Sequence, residues 1–231
     1  MYVTIPDSVQ SIGDQAFGYC SGLIGINIPD SITSIGDRLF FECTCLTSVT
    51  LPEGLSVIGS QMFYDCNLFK ITIPEGVKVI RDHAFYGCDM LSDVNFPTTL
   101  QTIGNNAFEG CNSLLHITIP EGVTAIGTMA FYKCTSLTSI TLPSTLISLG
   151  GGAFQRCSTL TSITIPESLT RIEWMTFWGC ISMTSIKIPA SVVYIADDAF
   201  TNVPGLFEVA LGSCGQSFCM SHGFLYIFSG F

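Results

Sequence analysis

Residues 5–26, IPDSVQSIGDQAFGYCSGLIGI, decide the fold, because their pattern recurs along almost all of this 231-residue chain. A proline ladder runs through the repeats at Pro6, Pro29, Pro52, Pro74, Pro97, Pro120, Pro143, Pro166 and Pro189. A phenylalanine ladder follows it at Phe17, Phe40, Phe63, Phe85, Phe108, Phe131, Phe154, Phe177 and Phe200. Both ladders advance by 23 residues, with one shared step of 22 in the third unit. A fixed period of this length indicates an array of stacked structural repeats.

Each repeat contains two segments that the pattern predicts to be extended. Before the proline, apolar and polar residues alternate, as at Leu160, Ile163 and Ile165, which is typical of a half-buried strand. The proline then ends strand pairing, because it has no N–H group to donate. A second short extended segment is predicted from Val123 to Gly127 and at the equivalent positions of other repeats.

The rest of the repeat predicts a helical turn. In most repeats it is preceded by a residue that can cap such a turn, and these residues are Asp14, Asp37, Ser60, Asp82, Asn105, Thr128 and Asp197. The Ala-Phe-x-x-Cys segment then forms the turn, with Phe and Cys three residues apart on its inner side. The ladder cysteines are Cys20, Cys43, Cys66, Cys88, Cys111, Cys134, Cys157 and Cys180.

A 23-residue unit has too few apolar positions to enclose a core of its own, so the repeats must stack as coils. Stacking removes each ladder phenylalanine from water, which contributes about 1.5–3 kcal/mol per ring. About nine coils at the ~4.8 Å spacing of paired strands form a rod or shallow arc of roughly 40–45 Å. The sequence therefore predicts a right-handed parallel α/β solenoid.

The unit Ile-Pro-x-x-Val-x-x-Ile-Gly-x-x-Ala-Phe-x-x-Cys-x-x-Leu closely resembles the BspA-like leucine-rich repeats, from Val3 to about Leu211. The resemblance implies a right-handed leucine-rich-repeat stack of about nine 23-residue coils. One position departs from the general leucine-rich pattern, which has Asn or Cys after the strand. This chain has Ser31, Gly54, Gly76, Thr99, Gly122, Thr145, Ser168 and Ser191 there, so an asparagine ladder cannot be assumed.

The period is lost from Gly212, which divides the chain into a solenoid at 1–211 and a C-terminal capping segment at 212–231. Residues 212–219 predict a short helix, Gly223 its C-terminal stop, and Phe224 to Phe228 a final strand. We expect this segment to cover the apolar face of the last coil. No equivalent cap precedes Tyr2, and an open first strand is a pairing hazard, so we expect upstream sequence or another element to cover it.

The composition excludes several classes of partner. Apolar residues make up 48% of the chain and charged residues 11%, which indicates a buried core rather than a disordered chain. A net charge of -10 disfavours nucleic acid and anionic membranes, because both need a cationic surface. No run of about 18 apolar residues predicts a membrane span, and the first residues do not resemble a signal peptide. We therefore predict no nucleic-acid partner and no membrane insertion.

The eleven cysteines and three histidines predict no metal or nucleophilic site. Eight cysteines occupy the ladder, where a free thiol behaves as a small apolar side chain. Cys43 and Cys45 lack a zinc-binding spacing, and Cys214 and Cys219 do not share a helix face. The histidines are spread over distant parts of the chain, at His83, His116 and His222, so no pair of them is expected to cooperate.

Two further patterns have ordinary structural interpretations. The three glycines at 150–152 lack the Gly-Lys-Ser/Thr of a phosphate loop, so we interpret them as a loosened turn. Acidic residues recur after the proline ladder at Glu53, Glu75, Glu121 and Glu167, which indicates a solvated ridge. We predict that the chain is not an enzyme and that it holds no cofactor or metal.

The outward strand positions are the first candidate protein-binding surface, because solenoid faces often provide broad contacts. They form two files across the coils, in which the candidate residues are Lys70, Thr72, Asp93, Asn95, His116, Thr118, Thr141, Thr164 and Lys187. The alternative is that these are solvated residues with a preference for strands and bind nothing.

A stripe of aromatic residues is the second candidate surface. The position after the ladder phenylalanine carries Phe41, Tyr64, Tyr86, Tyr132 and Trp178. Trp174 replaces the capping residue of the eighth coil, and Tyr194 lies one coil further on. Exposed aromatic residues often anchor interfaces, so Trp174, Trp178 and Tyr194 are candidate binding residues. The alternative is that the rings lie flat over neighbouring coils and complete the core.

The resemblance also implies a function. BspA-like repeats belong to surface-exposed or secreted proteins that adhere to host matrix proteins or to other cells. We therefore predict a non-catalytic, adhesin-like module whose partner is a host matrix protein or another cell surface. The alternative is a structural spacer, or a repeat segment of a larger multidomain protein whose activity lies elsewhere. The binding positions of leucine-rich repeats vary, so the scaffold does not define the ligand.

Overall fold

The computed structural model describes residues 2–229, which stack as coils joined by parallel strands. Each coil contributes a strand of three or four residues to one broad strand face. These strands are β1 (Tyr2–Thr4), β3 (Gly25–Asn27), β5 (Ser48–Thr50), β7 (Lys70–Thr72), β9 (Asp93–Asn95), β11 (His116–Thr118), β13 (Ser139–Thr141), β15 (Ser162–Thr164), β17 (Ser185–Ile188), β19 (Leu206–Val209) and β20 (Tyr226–Phe228).

A second, two-residue strand follows in each repeat. These strands are β2 (Ser11–Ile12), β4 (Ser34–Ile35), β6 (Val57–Ile58), β8 (Val79–Ile80), β10 (Thr102–Ile103), β12 (Ala125–Ile126), β14 (Ser148–Leu149), β16 (Arg171–Ile172) and β18 (Tyr194–Ile195). Their position matches the second extended segment that the sequence predicts.

Equivalent residues of successive coils pair directly across the parallel sheets. On the strand face, His116 pairs with Ser139, one repeat away. The second strands keep the same register, as Ile103 does with Ile126. The predicted solenoid is confirmed, with about ten coils of ~23 residues. The strand-face sheet is interrupted between β5 and β7, where the 22-residue unit lies, and between β9 and β11.

The ladder phenylalanines form one continuous column through the core. The ring centroids of Phe63 and Phe85 lie 5.2 Å apart, and those of Phe85 and Phe108 lie 5.0 Å apart. The column is fully buried from Phe40 onward, and its rings stack nearly parallel. Identical side chains from successive coils therefore share one interior, as the repeat pattern predicts.

The ladder cysteines are free thiols that donate hydrogen bonds to the preceding coil. The Sγ of Cys111 lies 3.2 Å from the carbonyl oxygen of Phe85, and the Sγ of Cys134 lies 3.2 Å from that of Phe108. The predicted burial is confirmed from Cys43 to Cys180, whereas Cys20 in the first coil is half-buried. Each thiol thus packs as an apolar group and also supplies a donor to a carbonyl inside the core.

The segment predicted as a helical turn consists of tight turns, so the helical prediction is wrong there. Positive φ angles recur in it, at 57° for Gln15 and 60° for Tyr19 in the first coil. Much of its backbone bonding runs between coils, as when the N–H of Phe85 donates to the carbonyl of Ala107 at 2.8 Å. An α-helix would instead bond its N–H groups within the segment.

Residues expected to cap that turn instead bond to the next coil. Asp14 Oδ1 accepts a hydrogen bond from the N–H of Asp37 at 2.9 Å, and Asp82 Oδ1 accepts one from the N–H of Asn105 at 2.8 Å. A glycine precedes this position in many repeats, because the coils approach closely there. A Cβ on Gly127 would lie 2.6 Å from the backbone nitrogen of Asn105.

Hydroxyl side chains occupy five of the eight positions where the general leucine-rich pattern has asparagine, and glycine occupies the other three. Thr99 Oγ1 donates to the carbonyl of Val77 at 2.9 Å and accepts from the N–H of Gly76 at 3.0 Å. Thr145 makes the equivalent pair of bonds two repeats further on. Backbone groups of the turn are therefore satisfied by short side chains.

The C-terminal segment folds as its sequence predicts over the described residues. The helix α1 (Cys214–His222) begins after Ser213, whose side chain accepts from the N–H of Gln216, and ends at Gly223 with a φ of 72°. β20 then pairs in parallel with β19 and extends the strand face by one coil. The predicted division at residue 212 remains a prediction, and Gly230 and Phe231 lie outside the described residues.

The phenylalanine column predicts a large cost for truncating one of its central rings. We expect Phe108→Ala to lower the free energy of unfolding by about 3–5 kcal/mol, because it opens a cavity between two buried rings. Leu115→Ala, at a side chain that is 50% exposed, is the control and should cost less than about 0.5 kcal/mol. Chemical denaturation followed by circular dichroism measures both, and equal costs would contradict a shared phenylalanine core.

Candidate protein-binding surface

The strand face presents the two predicted files of side chains side by side. In most of these strands the central residue points inward, as Ile117 does, while the residues on either side of it are exposed. The predicted residues Lys70, Thr72, Asp93, Asn95, His116, Thr118, Thr141, Thr164 and Lys187 all lie exposed on this face. The structure therefore brings these nine residues onto one surface, although their binding role remains a prediction.

Polar contacts between neighbouring coils hold several of these side chains in place. His116 Nδ1 lies 2.8 Å from the hydroxyl of Ser139, and Lys187 Nζ lies 3.5 Å from Glu208 Oε1. Most of the remaining residues are threonine or serine, whose short side chains have little conformational freedom to lose on binding. The face is thus polar and preorganised.

A groove crosses the strand face over the later coils. It has a volume of about 560 Å³, and its lining includes Ser139, Thr141 and Thr164 together with Glu121 and Lys187. A second groove, of about 360 Å³, occupies the corresponding place over earlier coils beside Lys70 and Thr72. Grooves of this kind accommodate an extended polypeptide segment better than a flat sheet does.

Carboxylates on the ridge after the proline ladder border the strand face. Glu121 accepts hydrogen bonds from both the N–H and the hydroxyl of Ser144, at 3.1 and 3.0 Å. These bonds lower the pKa of the Glu121 carboxyl below its ordinary value. Glu75 makes the same pair of contacts with Thr98. The ridge therefore presents charged carboxylates whose positions are fixed by the next coil.

The three candidate aromatic residues each pack on their own chain. Trp174 lies over Gly151, where a Cβ would collide with its indole ring, and a Cβ on Gly152 would lie 3.5 Å from that ring. The glycines that the sequence analysis interprets as a loosened turn therefore form the seat of this tryptophan. The guanidinium carbon of Arg171 lies 3.9 Å from the ring centroid of Tyr194.

The stripe after the ladder phenylalanines divides into two parts. In the early coils Phe41, Tyr64 and Tyr86 stack on one another at 4.8 and 4.5 Å, and Tyr19 joins the stack edge-on at 5.4 Å from Phe41. All but Tyr19 are half-buried, in line with the alternative in which rings lie over neighbouring coils. Sequence analysis misses Tyr19, because it lies two residues after its ladder phenylalanine rather than one.

In the later coils the aromatic rings are paired with cations. Arg156 lies over the ring of Trp178 and Lys133 over that of Tyr132, each at 5.0 Å from the ring centroid. Sequence analysis does not single out either cation. The available signal is that both precede a ladder cysteine by one residue, so the repeat places them in adjacent coils.

The titratable groups of the core are cysteine thiols that pack as neutral side chains. Burial raises the pKa of the Cys180 thiol to about 12 and that of the Cys219 thiol to about 11. A protonated thiol is neither a good nucleophile nor a metal ligand. Among residues 2–229, no group of three or more His, Cys, Asp or Glu side chains could hold a metal ion. No helix in this range is long and apolar enough to cross a membrane.

The parallel coils and the exposed strand face define a leucine-rich-repeat protein. The family model of the BspA type leucine-rich repeat region matches residues 1–92 and 78–207 in six copies. The chain therefore belongs to the BspA-type leucine-rich-repeat family.

Solved structures with the same fold come from several bacteria. A leucine-rich repeat protein from Bacteroides ovatus is 27% identical, with a TM-score of 0.72, over 90% of this chain and 63% of that one. The pneumococcal vaccine antigen PcpA is 18% identical, with a TM-score of 0.66, over 96% and 60%. A leucine-rich repeat protein from Eubacterium ventriosum is 21% identical, with a TM-score of 0.53, over 91% and 72%.

The chain spans less than two thirds of the length of the Bacteroides ovatus protein. No curated protein matches its sequence significantly.

The burial of the thiols predicts their reactivity toward a thiol reagent at neutral pH. We expect Cys45, which is exposed, to react fast, and the half-buried Cys20 and Cys214 to react more slowly. The eight buried thiols should react only after unfolding. Mass spectrometry after timed alkylation measures this, and Cys45→Ser should remove the fast phase. Rapid native labelling of Cys111 would contradict a closed core.

The raised thiol pKa values also predict how stability depends on pH. The ordinary thiol pKa is 9.0, whereas folding raises that of Cys180 to about 12. Stabilisation from this group is therefore complete below pH 9.0 and is lost as the pH rises toward 12. We expect the free energy of unfolding to fall from pH 9.0, the ordinary thiol pKa, upward toward pH 12. Denaturant titrations should give a shallower fall for Cys180→Ala, and an equal fall would exclude this cause.

Proposed function

We propose that this chain is a non-catalytic protein-binding module that acts at the cell surface or after secretion, in the manner of an adhesin. The observation that carries the proposal is the strand face, where exposed residues such as Thr118, Thr141 and Thr164 recur in register on successive coils. Membership of the BspA-type family supports the same class of function.

The chemistry of the strand face favours a protein partner with an extended segment. Serine and threonine hydroxyls act as both donors and acceptors, so they can bond to backbone amides of either polarity. The groove beside Thr141 and Thr164 supplies the concave contact that an extended segment needs. Because these side chains are short and β-branched or fixed by neighbours, binding orders little of the surface.

The charges around the face favour a basic partner. Glu121 and Glu167 lie in the lining of the larger groove, and the whole chain carries a net charge of -10. Complementary charge accelerates association and selects against acidic partners. We therefore propose that the partner presents lysine or arginine side chains, as a matrix protein or a protein of another cell surface can.

A binding experiment with a charged strand face tests this function. The purified chain is incubated with immobilised extracellular-matrix proteins, beside the variant Thr118→Lys, Thr141→Lys, Thr164→Lys. We expect the variant to bind at least about tenfold more weakly, because its three new cations would face the lysine and arginine side chains of the partner.

A matched variant controls for the added charge. Ser56→Lys, Thr124→Lys, Thr170→Lys adds the same three positive charges at exposed positions beside the second strands, away from the strand face. It should bind as the unmodified chain does, and thermal unfolding should be similar for all three proteins. If both variants lose binding equally, or the unmodified chain does not bind, the strand face is not an adhesive surface and a spacer role is favoured.

A further inference from the structure

One edge of the solenoid carries an ordered series of charges. The residue before each ladder cysteine lies at this edge, and we call the nine positions the edge column. From the first coil to the ninth it reads Tyr19, Glu42, Asp65, Gly87, Gly110, Lys133, Arg156, Gly179 and Asn202. All nine residues have positive φ angles, between 52° and 75°, so each backbone presents its side-chain position in the same way. Two acidic residues, two glycines and two basic residues thus follow one another in six consecutive coils.

The four charged side chains of the edge column have no partner of opposite charge among residues 2–229. The ion pairs of that range involve other residues, such as Arg81 with Asp37 and Lys187 with Glu208. Burial and the negative charges of Glu42 and Asp89 raise the pKa of the Asp65 carboxyl. The carboxylates at the acidic end therefore repel one another.

The basic end is equally uncompensated. Arg156 lies over Trp178 and Lys133 over Tyr132, so both cations contact aromatic rings and neither contacts a carboxylate. Both side chains are exposed at the edge. A partner that supplied carboxylates here and cations at Glu42 and Asp65 would therefore satisfy both ends at once.

When the order of the edge column is reversed, its basic residues fall opposite its acidic residues and its two central glycines fall opposite each other. We propose that two copies of this chain associate side by side along this edge, antiparallel, about a two-fold axis that lies between Gly87 and Gly110. This axis places Asp65 opposite Lys133 of the second copy and Glu42 opposite Arg156 of the second copy. Symmetry repeats both pairs, so that four ion pairs form.

The regular coil spacing makes these distances match. Asp65 and Lys133 lie in the third and sixth coils, equally far from the axis, and Glu42 and Arg156 lie in the second and seventh. Because each coil adds the same rise of roughly 5 Å, both members of each pair reach the same level. The glycines at the axis carry no side chains of their own, and the Asp65 carboxylate lies over Gly87 beside the axis.

At each end of the proposed contact, a large side chain lies opposite a glycine. Tyr19 is 59% exposed in the first coil, and the axis brings it to the level of Gly179 of the second copy, which has no side chain. A ligand of a single charge would be attracted to one half of the column and repelled by the other. A second copy is the partner whose charge order matches the entire edge.

The size of the edge predicts a weak, reversible dimer. An edge about 40 Å long and about 15 Å wide buries roughly 600 Å² per copy, which is at the low end for specific complexes. The ion pairs would lie near solvent, so association should weaken as the salt concentration rises. This assembly leaves the strand face open and is independent of the function proposed for that face.

Sedimentation of complementary charge variants tests the dimer. One variant carries Glu42→Lys and Asp65→Lys, so that its column is wholly basic, and the other carries Lys133→Glu and Arg156→Glu, so that its column is wholly acidic. Neither variant should self-associate, with dimerisation at least about tenfold weaker than for the unmodified chain. Mixed together, they should form a heterodimer, because all four pairs are then restored.

The variant that combines all four substitutions has a basic end where the unmodified chain has its acidic end, and the reverse. It should form a homodimer at low salt as the unmodified chain does. Lysine and glutamate already occupy this backbone position at Lys133 and Glu42, so the substitutions suit its conformation, and circular dichroism checks folding. The proposal is overturned if the unmodified chain remains monomeric at low salt up to about 500 µM, a range that covers weak dimers of this size. It is equally overturned if the two variants still self-associate, or if their mixture does not.

Discussion

The alignment of equivalent residues between successive coils is the constraint on which the rest of the structure depends. Parallel strands pair residues one repeat apart, so a side chain in one coil meets its own counterpart in the next. A column of identical residues must therefore pack well against itself. Phenylalanine does so by stacking at 5.0 to 5.7 Å, which explains why nearly the whole interior is built from a few columns.

The same alignment obliges each coil to satisfy the polar groups of its neighbour. Away from the strands, backbone groups of the turns face the next coil, and short side chains complete their bonding. Asp14 accepts from a backbone N–H, Thr99 both accepts and donates, and Cys111 donates from its thiol. Because buried polar groups are costly when they are left unpaired, these small residues are as structural as the phenylalanine column.

Outward-facing side chains do not have to pack against or bond to the neighbouring coil, so the coils differ at these positions. The strand face keeps short polar residues over most of its length, whereas the edge column changes from acidic to basic along the stack. The two surfaces lie on different parts of each coil, so the proposed partner binding and the proposed self-association do not compete for the same residues. A rigid, repetitive interior thus supports separate surfaces whose chemistry is set by single residues in each coil.

The sequence by itself determined the coil period, the buried ladders, the strand register and the C-terminal helix and strand, because each leaves a regular or well-known local pattern. It also placed the nine strand-face residues correctly, since alternation along a strand defines which side chains point outward. Only the tertiary structure decided that the Ala-Phe-x-x-Cys segment bonds between coils instead of forming a helical turn, and that Gly151 and Gly152 receive Trp174. Those outcomes depend on how closely one coil approaches the next. This distance is set by contacts between residues about 23 apart, which form only when the coils stack.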